Sequence, residues 1–228
     1  MKNALIAVWR FLASIGIWIW LNGRAYQGWS SIHRAIFDRK YRDTEIATYA
    51  TLKDLAAWID QQKWVKDGLD SLFDAVCSPQ KVQAIGQTGD HKIGDCDEFG
   101  IYLTAAIEKS LATGVMKADQ NVQNPRFFTV TWMEKSGKPD GHNVCLLERP
   151  QPNGTVKFSY MDYDLPSEPP LDTPAQVAVL IASRYAGWAG PGHGKAESGV
   201  LCWCACKTNM SPVATGIGDG WARGVNQP

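Results

Sequence analysis

The sequence carries no excess of either charge, no C-x-x-C pair, no internal repeat and no low-complexity tract, and it has only four histidines. Lys plus Arg and Asp plus Glu both total 23, so the formal net charge is zero. Neutralising a phosphate backbone takes a basic face, so nucleic acid is not an expected partner. Six cysteines in 228 residues are too sparse for a disulfide scaffold, and their spacing does not suit structural zinc. Nothing calls for a cofactor or a metal ion. "GPGHGK" (190–195) resembles a phosphate loop only faintly: Ala189 stands where the first glycine belongs, and no Ser or Thr follows Lys195.

What is present is a hydrophobic fraction of 45%, enough for one sizeable core, and ten tryptophans. Three of these, Trp9, Trp18 and Trp20, crowd the N-terminus around "ALIAVWRFLASIGIWIWL" (4–21). As a helix that run would be roughly 27 Å long, near the thickness of a bilayer core. Arg10 could snorkel, and the tryptophans would sit near the two interfaces. A membrane anchor is one expectation; a helix packed on the domain or lying in a membrane surface is another. A signal peptide fits less well, because the apolar run is interrupted and no A-x-A site follows. If the segment spans a membrane, Arg24, Arg34, Arg39, Lys40 and Arg42 outweigh Lys2 and put the domain on the cytoplasmic side.

The chain divides into this segment (1–24), a basic and aromatic helical connector (25–44), a main domain (45–207) and a Gly-rich tail (208–228). Thr51 with Asp54 forms a capping box for one helix, and "KWVKDGLDSLFDAV" (63–76) reads as a second helical segment. Ser78 and Pro79 open a third. A polar loop then leads to the clearest helix, with Asp95 as cap, Glu98 completing the box and Gly114 ending it. Its apolar stripe is Phe99, Tyr102, Leu103, Ala106, Ile107 and Leu111. Strands follow from 126, 143, 155 and 199, with a helix after Pro174 between the last two. "RPQPNG" (149–154) is a hairpin loop. The class is α+β, with the cysteine-bearing helix packed on a mostly antiparallel sheet.

Cys96 falls in the first turn of that helix, where unpaired N–H groups and the helix dipole favour a thiolate and can receive an oxyanion. A nucleophilic thiol needs an imidazole, and "GHNVCLL" puts His142 at the start of a strand. The imidazole needs an orienting group, and the partner strand "FSYMDYD" offers Asp162 and Asp164 on one face. The three acids around Cys96 oppose a thiolate, although capping occupies Asp95 and Glu98. Cys202, Cys204 and Cys206 alternate along a strand and read as core rather than as metal ligands.

The run G-D-C-D-E-F, after a Ser-Pro helix and a polar loop, resembles the transglutaminase-like cysteine proteases, particularly the bacterial type. Upstream, "KWVKDGLDSLFDAVCSPQ" is similar to the family's aromatic segment. Downstream, "GHNVCLLE" is similar to its histidine strand, and the strand ending at Asp162 to its aspartate strand. The resemblance covers about residues 45 to 165. It implies a papain-like fold and a Cys-His-Asp triad: Cys96 as nucleophile, His142 as general base and acid, Asp162 as orienter with Asp164 the alternative. It implies a peptide or protein substrate and no cofactor. Asn143 after the histidine and the long hairpin loop depart from the family pattern, and they leave the substrate pocket and the choice of aspartate open. A catalytically silent binding module tethered to a membrane, and a protein-crosslinking transglutaminase, are the rival expectations.

Overall fold

The computed structural model describes residues 2–22, 25–65, 75–134, 139–166, 169–186 and 196–217. Five strands form one antiparallel sheet in the order β5-β4-β3-β6-β7, made of β3 (Gln123–Glu134), β4 (Pro139–Pro150), β5 (Val156–Met161), β6 (Ala196–Cys206) and β7 (Pro212–Ile217). Two short strands, β1 (Lys63–Trp64) and β2 (Lys92–Gly94), pair in parallel beside it. Among the described residues six α-helices accompany the strands: α1 (Lys2–Asn22), α2 (Ala25–Phe37), α3 (Leu52–Ile59), α4 (Pro79–Gly86), α5 (Cys96–Ala112) and α6 (Pro174–Ala186). The architecture is α+β, with helices packed on an antiparallel sheet.

Period-two alternation divides the sheet side chains between two cores. Cys145, Leu147 and Met161 face α5, and Phe127, Cys202, Cys204 and Cys206 continue that face. Phe128, Val130, Trp132, Val144, Leu146, Tyr160 and Trp203 face the other way, onto Val177, Ala178 and Ile181 of α6. The sheet is therefore buried on both sides, and its strands read as nearly continuous apolar runs.

The expected stripe on α5 understates its burial. Ile101 and Ala105 are buried as well: Ile101 packs with Tyr26, Val76, Phe127 and the cysteines of β6, while Leu55 and Ile59 of α3 and Val82 of α4 cover the stripe itself. Its polar side chains bond within the protein: Thr104 Oγ1 donates to Gly100 O at 2.8 Å and Ser110 Oγ to Ala106 O at 2.6 Å. Tyr102 donates to Gln83 Oε1 at 2.6 Å, and that oxygen also accepts from Ala47 N at 2.7 Å. At Gly100 the helix comes close to the sheet, since a Cβ there would stand 3.1 Å from the Phe127 ring and 3.3 Å from the Asn143 backbone.

The expected caps form. Thr51 and Asp54 make a reciprocal box, and Ser78 with Pro79 opens α4. Two segments differ from expectation. Lys63–Trp64 is a strand rather than a helix start, because Lys63 N donates to His91 O and Val65 N to Gly94 O. Residues 66–74 of the "KWVKDGLDSLFDAV" segment lie outside the described residues, as does "GPGHGK" up to Lys195. Residues 212–217, read as part of a tail, are the edge strand β7, whose opening proline needs no ladder donor at an edge.

α1 packs against β6 and β7, with Ile17 on the cluster that holds Cys202 and Met210. Its other side leaves Leu5, Val8, Trp9, Leu12 and Ile19 more than half exposed. Among the described residues no helix is long and apolar enough to cross a membrane.

Candidate active site

The N-terminus of α5 is built by its first four residues. Asp95, in extended conformation, accepts from Asp97 N at 3.2 Å, and Glu98 Oε2 accepts from Asp95 N at 3.2 Å. Gly94 precedes the cap at φ +129°, and a Cβ there would overlap the Glu98 side chain. That double demand explains glycine at this position. The result is a fixed first turn with Cys96 in it.

Of the six cysteines, Cys96 alone is not buried. Burial pushes the Cys145 thiol up to about 12 and that of Cys202 up to about 11. Burial also raises Cys77 well above its ordinary value. Cys204 is raised first by its sulfur contact with Cys206 and then by burial. These four thiols are held as small protonated core groups. Cys96 Sγ lies 3.7 Å from Asn143 Nδ2 and 3.9 Å from Asp97 Oδ1. Asn143 Nδ2 also donates to Asp97 Oδ1 at 2.9 Å, which gives that buried carboxylate a partner. All three acids around the thiol thus accept hydrogen bonds.

His142 and Asp162 come together at the same end of the sheet, where β4 begins and β5 ends. His142 Nε2 lies 3.0 Å from Asp162 Oδ2, and both side chains are 8% exposed. Tyr185 of α6 donates its hydroxyl to the same Oδ2 and lays its ring on the imidazole, with centroids 3.9 Å apart. With Nε2 held by the carboxylate, Nδ1 is the nitrogen left for proton transfer. Asp164, two residues on, is exposed.

Alternation puts His142 and Asn143 on opposite sides of β4. His142 and Asp162 belong with Val144 and Tyr160 on the α6 side, and Asn143 belongs with Cys145 on the α5 side, beside the thiol. Tyr163 links the two sides at the rim. Its ring lies 5.9 Å from His142 and edge-on to Phe99 of α5 at 4.9 Å. Burial holds its phenol protonated far above the ordinary range, and the neighbouring Cys96 and Asp162 push it the same way.

Asp95, Cys96 and Asp97 present ligand atoms within 4.8 Å of one another, so they are the described residues best placed to hold a cation. The hydrogen bonds just described already use Asp95 for capping and Asp97 for Asn143.

Nothing in the sequence pattern points to Tyr185. It sits 23 residues from Asp162 and ends a helix whose periodicity reads as core. Asn143 was visible only as a departure after the histidine.

No known protein family, no curated protein and no solved structure matches the chain.

Proposed function

We propose that this chain is a cysteine hydrolase or acyltransferase acting on peptide or amide bonds, built on a papain-like, transglutaminase-like arrangement. The observation that carries this reading is the buried His142–Asp162 pair, at the end of the sheet to which α5 brings the one cysteine that is not buried. Cys96 Sγ attacks the carbonyl carbon of the substrate while its proton passes to His142 Nδ1. Asp162, on Nε2, stabilises the imidazolium and fixes the tautomer. The N–H groups of the first turn of α5 and Asn143 Nδ2 face the developing oxyanion. Collapse breaks the C–N bond, His142 returns its proton to the leaving amine, and a thioester remains. Water or an amine then attacks the thioester, His142 takes its proton, and the C–S bond breaks. Water as acceptor makes the enzyme a peptidase or amidase; a lysine amine makes it a transglutaminase.

One observation favours a second reading. Strand alternation gives the α5 side to Asn143 and the α6 side to His142. A site frozen in that arrangement is a silent binding module. Labelling with a thiol-directed acyl probe separates the two. Fast labelling that is lost in both Cys96→Ala and His142→Ala supports the enzyme. Labelling of Cys96 at the rate of a free thiol, unchanged in His142→Ala, supports the module.

A further inference from the structure

We infer that the aromatic cleft beside this centre is its substrate subsite, and that it takes a residue bearing a carboxylate. This rests on the hydrolase reading. The cleft, of about 390 Å³, is lined by Trp64, Tyr163, Tyr185 and Arg184. Two of its walls are the site itself: Tyr185 bonds Asp162 and stacks on His142, and Tyr163 faces the same imidazole. The third wall is tied to the nucleophile. Trp64 lies on β1, and the next residue, Val65, donates its N–H to Gly94 O at 2.8 Å, two residues before Cys96.

The chemistry of the walls selects the ligand. Trp64 is half exposed, at 50%, and belongs to neither core, so its indole face is available to cover the apolar body of a bound side chain. Tyr163 and Tyr185 offer two more flat faces. Arg184 supplies the positive charge among the lining residues, and its Nη1 donates to Tyr160 OH at 2.9 Å, which anchors the planar guanidinium at the rim. An anchored guanidinium fork matches a carboxylate. Aromatic walls with one anchored cation fit a glutamyl-type side chain: methylenes on the rings, carboxylate on Arg184. A chain-terminal carboxylate shares that chemistry and is separated by the test.

The test reads alkylation of Cys96 in the full chain by three probes: iodoacetyl-Glu-amide, iodoacetyl-Gln-amide and iodoacetyl-Gln with a free terminus, with iodoacetamide as the small neutral reference. The side-chain acid is expected to react about tenfold faster than the neutral amide, the size of one charge-assisted contact. Arg184→Gln should abolish that preference, Arg184→Lys should keep part of it, and iodoacetamide should react alike with all three proteins. Trp64→Ala should slow all three peptide probes and spare iodoacetamide. Equal rates for the acidic and neutral probes, or a preference that survives Arg184→Gln, would overturn the proposal. Preference for the free terminus alone would overturn the side-chain assignment. An iodoacetamide rate that is slow and indifferent to His142→Ala would instead strike down the hydrolase reading, and the subsite with it.

Discussion

His142 Nε2 meets Asp162 Oδ2 at 3.0 Å inside the protein, with both side chains 8% exposed. A carboxylate buried to that degree is costly unless it is partnered, and here imidazole and tyrosine converge on one oxygen. The pair thus stands on two supports, a strand neighbour and the helix α6 packed on the same face of the sheet.

The first prediction follows from that convergence. Asp162→Asn should slow alkylation of Cys96 near neutral pH by about two orders of magnitude, since an amide keeps the shape but loses the charge that holds the imidazolium. Asp164→Asn, at an exposed position, should change it less than about twofold. Tyr185→Phe keeps the ring stack and removes one donor, so a smaller loss with a displaced pH profile is expected. Rates measured from pH 5 to 9 in the three variants check this, and a larger loss in the Asp164 variant would transfer the orienting role.

Cys96→Ala should abolish labelling and activity while costing about 1 kcal/mol or less of stability. The side chain is small, partly exposed and packed in neither main core. Urea unfolding of the variant beside the parent measures the second half of the statement; activity that persists on any cleaved substrate defeats the first.

The thiols give a pH prediction with a definite sign. In the native protein at pH 8 a single cysteine should be carboxamidomethylated, against six after unfolding, because burial keeps Cys145 and Cys202 protonated to about 12 and about 11. In the unfolded chain these thiols ionise near their ordinary value of about 8.5. Between there and their native values the unfolded state releases protons that the folded state retains. Their contribution to stability is therefore complete below about pH 8.5 and falls as pH rises, by about 1.4 kcal/mol per unit per thiol. Urea midpoints at pH 7.5, 9 and 10 should drop, with a shallower fall in a Cys145→Ala, Cys202→Ala double variant.

Gly94→Ala should destabilise by about 2–4 kcal/mol, combining the strain of a positive φ with the displacement of Glu98 from the cap. Slower alkylation of Cys96 is expected to accompany it, because the first turn of α5 loses its fixed geometry. Thermal melts and labelling on the same sample read both effects, and a melt unchanged within about 1 °C contradicts the account.

The outer side of α1, with Leu5, Val8, Trp9, Leu12 and Ile19, and Ile32, Ile36 and Phe37 of α2 leave large apolar side chains exposed, and the exposed Arg39, Lys40 and Arg42 follow α2. The full chain should co-sediment with vesicles containing anionic lipid, and Trp fluorescence should shift to the blue on binding. A chain that stays in the supernatant with vesicles at high lipid excess would show that this face is covered in another way.

Local chemistry determined much of this protein by itself. The caps at Thr51, Ser78 and Asp95, the proline starts at Pro79 and Pro174, and the long apolar strands follow from backbone donors and side-chain periods, which act over a few residues. The same short range marked Cys96 at a helix start, and His142 and Asp162 on paired strands. Tertiary structure decided what no local pattern encodes. It chose Asp162 over Asp164 as the partner of His142, because β5 ends at Met161, so Asp162 keeps the face of Tyr160 while Asp164 passes into solvent. It brought Tyr185 onto that pair and Asn143 onto the thiol, contacts that span 23 and 47 residues of chain. It also made β7 from residues 212–217, which lie in a Gly-rich stretch that reads as tail, because β6 had an edge to pair. Pairing and packing between distant segments depend on the arrangement of the whole sheet, and a periodicity read along one segment carries no record of that arrangement.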